Sequence, residues 1–470
     1  MEYVNEKLLE FEKYIKFKKI AIIGLGVSNI PLIEYFYKKN AYITVFDSKN
    51  ENELPKEAAE SIKKYNIKTS LGKKYLSNLK GFDIILRSPS CLPTTSELVE
   101  EAKRGALITS EIELLMKMCP CKIIGITGSD GKTTTTTLIS KIIEKEGYKT
   151  HLGGNIGISL FTKLNEISPE DIVVLELSSF QLMGMEISPE ISVITNITPN
   201  HLNVHKDYEE YIEAKKNIFK YQNNNGIVVL NNDNEITKKC VNEANGKVIL
   251  FSSKEKLNNG YIVDGKEIKK CEDGIRKHIL NTEELIIKGT HNYENVCAAL
   301  SATEGLVKEE NAIDTIKKFK GVEHRIEFVK EIDNVKWYND SASTTPTRTI
   351  SGLNAFNEKI VLIAGGADKN LDYTPIAKPI LEKVETLILM GQTAEKIFNS
   401  VKEEEEKQRK KINIYFAKDL EQAVNNAKKY AKSNQVVLFS PASTSFDMFK
   451  NMYDRGDKFK EIVNKLINKK

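Results

Sequence analysis

A short glycine loop followed by Lys and Thr is the stretch of this sequence best suited to phosphate chemistry. It lies between an apolar run typical of a strand, CKIIGIT, and a helix-like run, TTTTLISKIIEKEG. Glycines let backbone N–H groups approach phosphate oxygens, and Lys132 and the Thr133 hydroxyl suit phosphate and Mg²⁺. The loop is shorter than a standard Walker A motif, because Ile126 stands where that motif has its first glycine. The predicted nucleotide loop consists of Gly128, Ser129, Asp130, Gly131, Lys132, Thr133 and Thr134.

Three residues downstream could hold a metal ion near this loop. Glu176 ends the apolar run DIVVLE, His201 follows the run ISVITNIT, and Lys215 lies within the helix-like stretch DYEEYIEAKKNIFKY. Ligands gather at the carboxyl ends of strands in open α/β sheets, so we expect Glu176 and His201 at one sheet edge. Taken singly, His201 is equally well interpreted as a loop residue, and Lys215 as a lysine whose aliphatic stem covers apolar surface.

Apolar strands alternate with amphipathic helices in three series along the chain, which predicts an α/β fold with parallel sheets. A chain of 470 residues has room for about three domains. We predict a Rossmann-like N-terminal domain over residues 1–117. A central, P-loop-type mononucleotide-binding α/β domain follows over 118–322, and a Rossmann-like C-terminal domain over 323–470. The charged run within 395–411 is expected to be a solvated helix face.

Composition limits the function classes. The chain has 69 Lys+Arg against 65 Asp+Glu, so no broad field favours nucleic acid or a membrane surface. The N-terminus lacks the apolar run of a signal peptide, and no stretch approaches 18 apolar residues. We expect a cytoplasmic monomer with no nucleic-acid or membrane partner. The six cysteines are expected to be reduced, and Cys119-Pro120-Cys121 is interpreted as a connector between domains and not as half of a metal site.

A second glycine turn lies near the N-terminus. Gly24-Leu-Gly26-Val-Ser-Asn29 follows the apolar run KIAIIG, and Asp47 closes the next strand. This is the dinucleotide-binding fingerprint in outline, with Asn29 in place of the third glycine. In isolation the turn would predict a nicotinamide-dependent dehydrogenase, and that interpretation stays open at this point.

The order of these pieces resembles the Mur ligases, ATP-dependent enzymes that add amino acids to the UDP-linked precursor of peptidoglycan. The resemblance implies catalytic roles for Lys132, His201 and Lys215. It also implies two Mg²⁺ ions held by Thr133, Glu176, His201 and a carbamylated Lys215. Carbamylation would turn an ammonium, which repels Mg²⁺, into an anion that donates oxygen ligands.

The resemblance spans nearly the whole chain and is weakest over residues 226–288. In addition to the glycine loop, it implies ATP contacts from the HNYEN segment and from the third domain: Asn292, Asn295, Arg325 and Asp340. It implies that the N-terminal turn faces a UDP group instead of a nicotinamide cofactor. The implied substrate-binding residues are Gly26, Val27, Ser28, Asp47, Ser48, Ser88, Asn155, Ser178, Thr344, Lys369 and Ser445.

Three segments are most similar to the family members that add D-glutamate: LELSSFQL at 175–182, NDS at 339–341 and SPASTS at 440–445. The resemblance therefore implies a ligase that joins D-glutamate to UDP-N-acetylmuramoyl-L-alanine through an acyl phosphate. Four residues depart from the common pattern, namely Asp130, Asn203, Ala342 and Met452. The alternatives are another Mur-type or folylpolyglutamate-type amino-acid ligase, a P-loop ATPase that moves a partner, and the dehydrogenase.

Overall fold

The computed structural model describes residues 3–199, 204–369 and 371–467. The chain forms two compact units, Met1–Phe319 and Lys320–Lys470. The first unit holds two mainly parallel sheets and the second holds one, with helices between the strands. The predicted α/β class is confirmed. Within the described ranges, no helix combines the length and the apolar character needed to cross a bilayer.

The N-terminal sheet contains five parallel strands. They are β1 (Lys19–Ile23), β2 (Tyr42–Asp47), β3 (Lys68–Leu71), β4 (Ile84–Arg87) and β5 (Leu107–Thr109). The helices are α1 (Glu6–Ile15), α2 (Ile30–Lys38), α3 (Lys56–Tyr65), α4 (Ser96–Lys103) and α5 (Glu111–Met118). In the order β3-β2-β1-β4-β5, the chain leaves β1 toward β2 on one side of the sheet and leaves β4 toward β5 on the other side. The connections after these two neighbouring strands therefore run in opposite directions. A crevice therefore forms at the carboxyl ends of these two strands.

The middle sheet contains nine strands in the order β14-β13-β12-β11-β10-β9-β6-β8-β7 once these are numbered along the chain. They are β6 (Lys122–Thr127), β7 (Thr150–Gly154), β8 (Ile172–Glu176), β9 (Ile191–Ile194), β10 (Ile227–Asn231), β11 (Lys247–Ser252), β12 (Gly260–Asp264), β13 (Glu267–Glu272) and β14 (Ile275–Asn281). The helices are α6 (Lys132–Glu146), α7 (Ser179–Leu182), α8 (Tyr208–Lys220), α9 (Glu235–Lys239), α10 (Thr290–Thr303) and α11 (Glu309–Lys318). Two pairings in this sheet are antiparallel, that of β12 with β13 and that of β13 with β14.

The second unit contains six strands in the order β15-β16-β20-β17-β18-β19. The strands are β15 (Glu327–Ile332), β16 (Val335–Asn339), β17 (Ile360–Ala364), β18 (Val384–Leu389), β19 (Asn413–Phe416) and β20 (Val436–Phe439). The helices are α12 (Pro346–Asn354), α13 (Thr374–Lys383), α14 (Ala394–Gln408), α15 (Leu420–Tyr430) and α16 (Met452–Lys465). Only β15 is antiparallel to its neighbour. The loops after β16, β17 and β20 therefore meet at one edge.

The direction in which α8 faces follows from its sequence. Asp207 caps the helix by accepting a hydrogen bond from the Glu210 backbone N–H. Tyr211, Lys215 and Ile218 recur at helical spacing and are buried against the sheet. Lys215 therefore faces inward.

Two further predictions are confirmed. The charged run within 395–411 lies mainly in α14 with most of its residues exposed, and all six cysteines are free. The predicted domain boundaries at 117 and 322 stay predictions.

Candidate active site

The glycine loop follows the central strand of the middle sheet. β6 pairs with β8 on one side and with β9 on the other, all parallel. The carboxyl ends of these three strands, at Thr127, Glu176 and Ile194, therefore lie side by side. The nucleotide loop and Glu176 therefore share one edge of the sheet, whereas the predicted proximity of Glu176 to His201 involves a residue outside the described ranges.

The loop needs both of its glycines. Gly128 has φ +152°, and an added Cβ would lie 1.9 Å from Thr195 Oγ1. Gly131 begins α6 with φ +80°, and its added Cβ would lie 2.3 Å from Asn295 Oδ1. A side chain at either position would collide, so the backbone can take this path only with glycine.

The loop is also tied to the segment after β9. Ser129 donates its backbone N–H to Asn196 O at 2.9 Å and its hydroxyl to Thr198 O at 2.9 Å. The Asp130 backbone N–H donates to Asn196 Oδ1 at 3.0 Å. These bonds hold the loop at the edge where His201 was predicted. His201 and Asn203 lie outside the described residues.

Two lysines converge on the loop. Lys132 Nζ donates to the carbonyls of Gly128 and Ser129, each at 2.9 Å. Lys215 Nζ donates to the same Gly128 carbonyl at 2.8 Å and to Thr127 Oγ1 at 3.3 Å. Burial, and then the charge of Lys132, hold the pKa of Lys215 well below its usual value. Among the described residues no carboxylate oxygen lies within 4.0 Å of Lys215 Nζ, and the charges of Asp130 and Glu176 oppose the lowering of its pKa only from farther away.

Glu176 is a buried carboxylate with one oxygen unused. Its Oε1 accepts a hydrogen bond from Asn155 Nδ2 at 2.8 Å, and its Oε2 has no partner among the described residues. Buried polar atoms are normally satisfied, so an unpartnered oxygen marks a place for a missing group. Carboxylate and hydroxyl oxygens are the ligands that Mg²⁺ prefers, and Thr133 lies in the first turn of α6. The residues present therefore fit a magnesium ion.

Asn295 is packed against the nucleotide loop, as the HNYEN segment predicted. Its Oδ1 accepts a hydrogen bond from Thr135 Oγ1 at 3.2 Å, and it lies where a side chain on Gly131 would be. Asn292, one turn earlier, accepts from Asn295 Nδ2 at 3.4 Å. Both amides therefore lie beside the start of α6.

His205 was missed by the sequence reasoning. Its Nε2 is 3.0 Å from Ser179 Oγ, its Nδ1 is 3.3 Å from Glu210 Oε2, and its ring stacks on Phe180 at 4.9 Å. It thus connects α7, which follows the Glu176 strand, to the first turn of α8, which carries Lys215. A histidine four residues after His201 was the only signal in the sequence.

The N-terminal glycine turn lies in the crevice after β1. Asn29, which replaces the third glycine, donates its Nδ2 to Ile23 O and Gly24 O, both at 3.0 Å. Asp47 accepts the backbone N–H of Leu25 at 2.7 Å and that of Lys49 at 2.9 Å. Asn29 and Asp47 therefore hold the shape of the turn.

The remaining residues predicted around this turn lie on the same edge. Ser88 follows β4 and its hydroxyl lies where a Cβ on Gly24 would be. Four other predicted residues, on the loops after β1 and β2, are exposed or half-buried: Gly26, Val27, Ser28 and Ser48.

Asn155 and Ser178 lie beside Glu176, on the middle sheet. The Asn155 backbone N–H donates to Glu176 O at 2.7 Å. Ser178 caps α7 by accepting the Gln181 backbone N–H at 3.3 Å. The structure brings both together with the Glu176 carboxylate.

In the second unit, Asp340 is buried and accepts hydrogen bonds from Ser343 Oγ and Ser440 Oγ, each at 2.6 Å, and from the Ile326 backbone N–H at 3.2 Å. Burial raises the pKa of Asp340 to about 6, against these hydrogen bonds. Asp340 thereby fixes the loops after β16 and β20 to each other. Arg325, predicted to reach ATP, is exposed one residue before Ile326.

Arg455 is a second residue that the sequence reasoning missed. It is fully buried in α16 and donates to Ser341 Oγ and Ser341 O at 3.0 and 2.9 Å, and to Ser443 O and Thr444 O at 3.0 and 2.9 Å. Burial lowers its pKa to about 10. A single guanidinium therefore holds both loops that carry predicted substrate residues.

The loops after β17, β20 and β16 carry Lys369, Ser445 and Thr344, respectively, at the carboxyl edge of the sheet. Lys369 is exposed, with its Nζ 6.0 Å from the ring centroid of Phe446, while Ser445 is buried and Thr344 half-buried. Phe446 is 67% exposed beside Lys369, which leaves an accessible cation next to an aromatic surface.

Comparison with known proteins accounts for this arrangement. The chain matches three family profiles: "Mur ligase MurD-like, N-terminal domain" over residues 18–110, "Mur ligase middle domain" over 126–303 and "Mur ligase, glutamate ligase domain" over 324–443. A curated protein of Clostridium kluyveri named "UDP-N-acetylmuramoylalanine--D-glutamate ligase" is 49% identical over 455 residues, 97% of this chain and 98% of its own length. The chain belongs to the Mur ligase family.

A protein with the same name in Clostridium acetobutylicum is 48% identical over 97% of this chain and 98% of its own length. Another in Acetivibrio thermocellus is 48% identical over 98% of this chain and 100% of its own length. The fold is also that of UDP-N-acetylmuramate-alanine ligase from Thermotoga maritima, at a TM-score of 0.54 and 19% identity over 95% of this chain and 99% of that one. Mur ligases are ATP-dependent amino-acid ligases, so the dehydrogenase interpretation of the N-terminal turn is wrong.

Replacing Glu176 by Gln separates its role in the fold from its role in the site. The substitution removes a buried charge whose Oε2 is unpartnered in the described structure, so we expect unfolding free energy to stay equal or rise by about 1 kcal/mol. The same change would remove the carboxylate oxygen that fits Mg²⁺, so we expect Mg²⁺-dependent turnover of ATP to fall by a factor of roughly 100 or more. Denaturant unfolding and phosphate release measure the two effects.

Glu190→Gln is the matched control. Glu190 Oε2 accepts the backbone N–H of Ile123, at the beginning of β6 and away from the site, so this variant should lose some stability and keep its turnover. A Glu176→Gln protein that is less stable and still active would contradict the assignment.

The raised pKa of Asp340 predicts a pH dependence. Because the pKa of Asp340 in the folded protein, about 6, lies above the ordinary aspartate pKa of 3.8, the folded state binds more protons between these values. Stability is therefore greatest below about pH 4 for this group and falls as pH rises to about 6, by at most about 3 kcal/mol. Asp340→Asn should remove this fall, measured as the difference between variant and wild-type unfolding free energies across pH 4 to 7.

Asp372→Asn serves as the control, because the Thr374 backbone N–H lowers the pKa of that exposed carboxyl. Removing the Asp372 carboxyl should therefore change the pH dependence of the unfolding free energy in the direction opposite to that of Asp340→Asn. If the unfolding free energies of wild type and Asp340→Asn depend on pH in the same way, the raised pKa of Asp340 is refuted.

Proposed function

We propose that this protein joins D-glutamate to UDP-N-acetylmuramoyl-L-alanine with the hydrolysis of ATP to ADP and phosphate, a cytoplasmic step in the synthesis of the peptidoglycan precursor. The observation that carries the proposal is identity of 48 to 49% to proteins named as D-glutamate ligases over nearly the whole chain. The buried cluster at the glycine loop supports it, because this reaction needs an activated carboxylate.

In the proposed reaction, the terminal carboxylate of the UDP-linked substrate attacks the γ-phosphate of ATP. An acyl phosphate and ADP result, and the amine of D-glutamate then displaces phosphate to form the amide. The glycine loop cradles the phosphates through its backbone N–H groups at the start of α6. Lys132 turns from the loop carbonyls to the phosphates when ATP binds, which neutralises the charge that develops during transfer.

The proposal assigns metal binding to Thr133, Glu176, His201 and Lys215. Two Mg²⁺ ions, when bound, would neutralise the phosphate oxygens and the attacked carboxylate. Lys215 lies in a position that disfavours its ammonium form, since it is buried, has a lowered pKa and lies beside Lys132. A neutral amine is the form that reacts with CO₂, so this environment supports a carbamylated Lys215 whose oxygens face the site.

The three predicted domains receive the three reactants. We assign the UDP group to residues 1–117, with the turn that Asn29 and Asp47 hold as its cradle, and the peptide end to Asn155 and Ser178. ATP is assigned to residues 118–322, which include Asn292 and Asn295, with a further contact from Arg325, while Asp340 holds the neighbouring loops in place. D-Glutamate is assigned to residues 323–470, where Lys369, Ser445 and Thr344 would bind its carboxylates.

Two alternatives remain distinguishable from this proposal. Another amino-acid ligase of the Mur or folylpolyglutamate type would use the same central chemistry with a different amino acid. A P-loop ATPase would hydrolyse ATP without any amino acid.

Phosphate release tests the substrate assignment. With ATP, Mg²⁺ and UDP-N-acetylmuramoyl-L-alanine present, D-glutamate should raise the rate at least tenfold above L-alanine, L-glutamate or no addition. Mass spectrometry of the nucleotide product should show one added glutamate. Equal rates with every amino acid would eliminate D-glutamate specificity, and full turnover with none would favour the ATPase.

Lys215→Ala tests the carbamate. We expect turnover to be abolished, and formate or acetate to restore part of it by occupying the vacated position as an anion. Lys216→Ala is the control, because this neighbouring lysine forms ion pairs with Glu213 and Glu243, both at 2.9 Å, and points away from the loop. Unchanged activity in Lys215→Ala would exclude the carbamate role.

A further inference from the structure

Three aromatic side chains are exposed close together at the N-terminal end of the chain. Tyr14, Phe17 and Tyr42 are 49%, 61% and 62% exposed. The rings of Phe17 and Tyr42 are 6.4 Å apart, and Lys18 Nζ lies 5.5 Å from the Tyr14 ring centroid. The Tyr42 backbone N–H donates to Lys18 O at 2.8 Å, which holds the two segments side by side. The Phe17 and Tyr42 rings are therefore neighbours, and Tyr14 is exposed three residues before Phe17 at the end of α1.

Lysines surround these rings. Residues 13–19, KYIKFKK, contain four lysines and no acid, a local charge equal to the formal net charge of +4 of the whole chain. Lys18 pairs with Asp83 at 3.2 Å. In the described part of the structure, Lys13, Lys16 and Lys19 have no carboxylate oxygen within 4.0 Å. We call Lys13, Tyr14, Lys16, Phe17, Lys19 and Tyr42 the basal patch.

Phe17 projects from a backbone conformation that does not favour it. Its φ is +63°, in the left-handed region where Gly and Asn are common and aromatic residues are rare. Its backbone N–H donates to Asn40 O at 2.9 Å, which fixes the turn. The turn geometry alone favours Gly or Asn at this position. The exposed phenyl ring therefore points to contact with something outside the chain.

The basal patch and the N-terminal glycine turn lie at opposite ends of β1 and β2. The basal patch lies where β1 and β2 begin, whereas the glycine turn and Asp47 lie where these strands end. β1 has five residues, and at roughly 3.3 Å per residue the strand separates the two ends by more than 10 Å. A partner on the basal patch would leave the turn open to its ligand.

The shape and chemistry of the patch select the kind of partner. Its aromatic side chains are exposed at a helix end, a turn and the beginning of a strand, so a flat partner fits them. Tyr and Phe rings settle at the headgroup level of bilayers, and lysines beside them attract anionic headgroups. We propose that the basal patch docks on the surface of an anionic lipid bilayer, without inserting any segment. This inference is independent of the reaction proposed above.

Vesicle sedimentation with the full-length protein tests the proposal. At about 50 mM salt, wild type should bind vesicles of equal parts phosphatidylglycerol and phosphatidylcholine at least tenfold more strongly than vesicles of phosphatidylcholine alone. Raising the salt to about 500 mM should abolish most of that difference, because exposed charges are then screened.

Two double variants separate the contribution of the lysines to lipid binding from that of the aromatic rings. Lys16→Ala with Lys19→Ala should weaken binding to the anionic vesicles roughly tenfold or more, and Phe17→Ser with Tyr42→Ser should do so by a similar factor. Lys410→Ala with Lys411→Ala is the control, since it removes the same charge from an exposed stretch of the second unit. All three proteins should keep the wild-type rate of phosphate release, which shows that they are folded.

Equal binding of wild type to both kinds of vesicle would overturn the proposal. So would an equal loss of binding in the control pair. If the patch variants change only the oligomeric state, measured by light scattering, the patch is a contact between copies of the chain and the lipid proposal fails.

Discussion

A buried amine and a buried carboxylate define the catalytic edge of the middle sheet, and neither has a full set of partners among the described residues. Among the described residues Lys215 donates to a carbonyl and a hydroxyl and faces the Tyr211 ring, with no carboxylate oxygen within 4.0 Å, and Glu176 has one unpartnered oxygen. Removing an ionised group from water costs several kcal/mol unless charge or hydrogen bonds compensate it. Groups supplied from outside the chain resolve this constraint. A carbamate on Lys215 and cations beside Glu176 would do so together, and ATP supplies the remaining negative charge. The pairing of β6 with β8 and β9, the two glycines of the loop and the cap on α8 all serve to hold these groups in place.

The second unit also contains buried charged groups, but there the chain itself supplies their hydrogen-bond partners. Asp340 and Arg455 are buried, but their hydrogen-bonding capacity is taken up by serine and threonine groups and by backbone. Neither is left with an open position of the kind that Glu176 shows. They therefore act inside the fold, tying the loops after β16 and β20 to each other. In this arrangement Lys369 can remain exposed while the loops that surround it stay fixed.

Much of the fold and part of the site could be predicted from the sequence, because strong local signals carried them. The alternation of apolar strands and helices gave the α/β class, and the strand, glycine loop and Lys-Thr order located the nucleotide loop. Position after an apolar strand was sufficient for Glu176. Arg455 and His205 were missed because their importance lies in contacts across many residues, such as the 114 positions between Ser341 and Arg455. The near balance of charge over the whole chain likewise hid the lysines of the basal patch, because a sum over 470 residues contains no information on their arrangement.

The state of the Lys215 amine is the point on which the account of the catalytic edge depends. Carbon-13 NMR of the protein equilibrated with ¹³C-bicarbonate, Mg²⁺ and ATP reports that state directly, with Lys215→Ala as the reference. The account predicts a carbamate carbon resonance in the wild-type protein that is absent from the variant. An active wild-type protein without such a resonance, or the same resonance in both proteins, would contradict it.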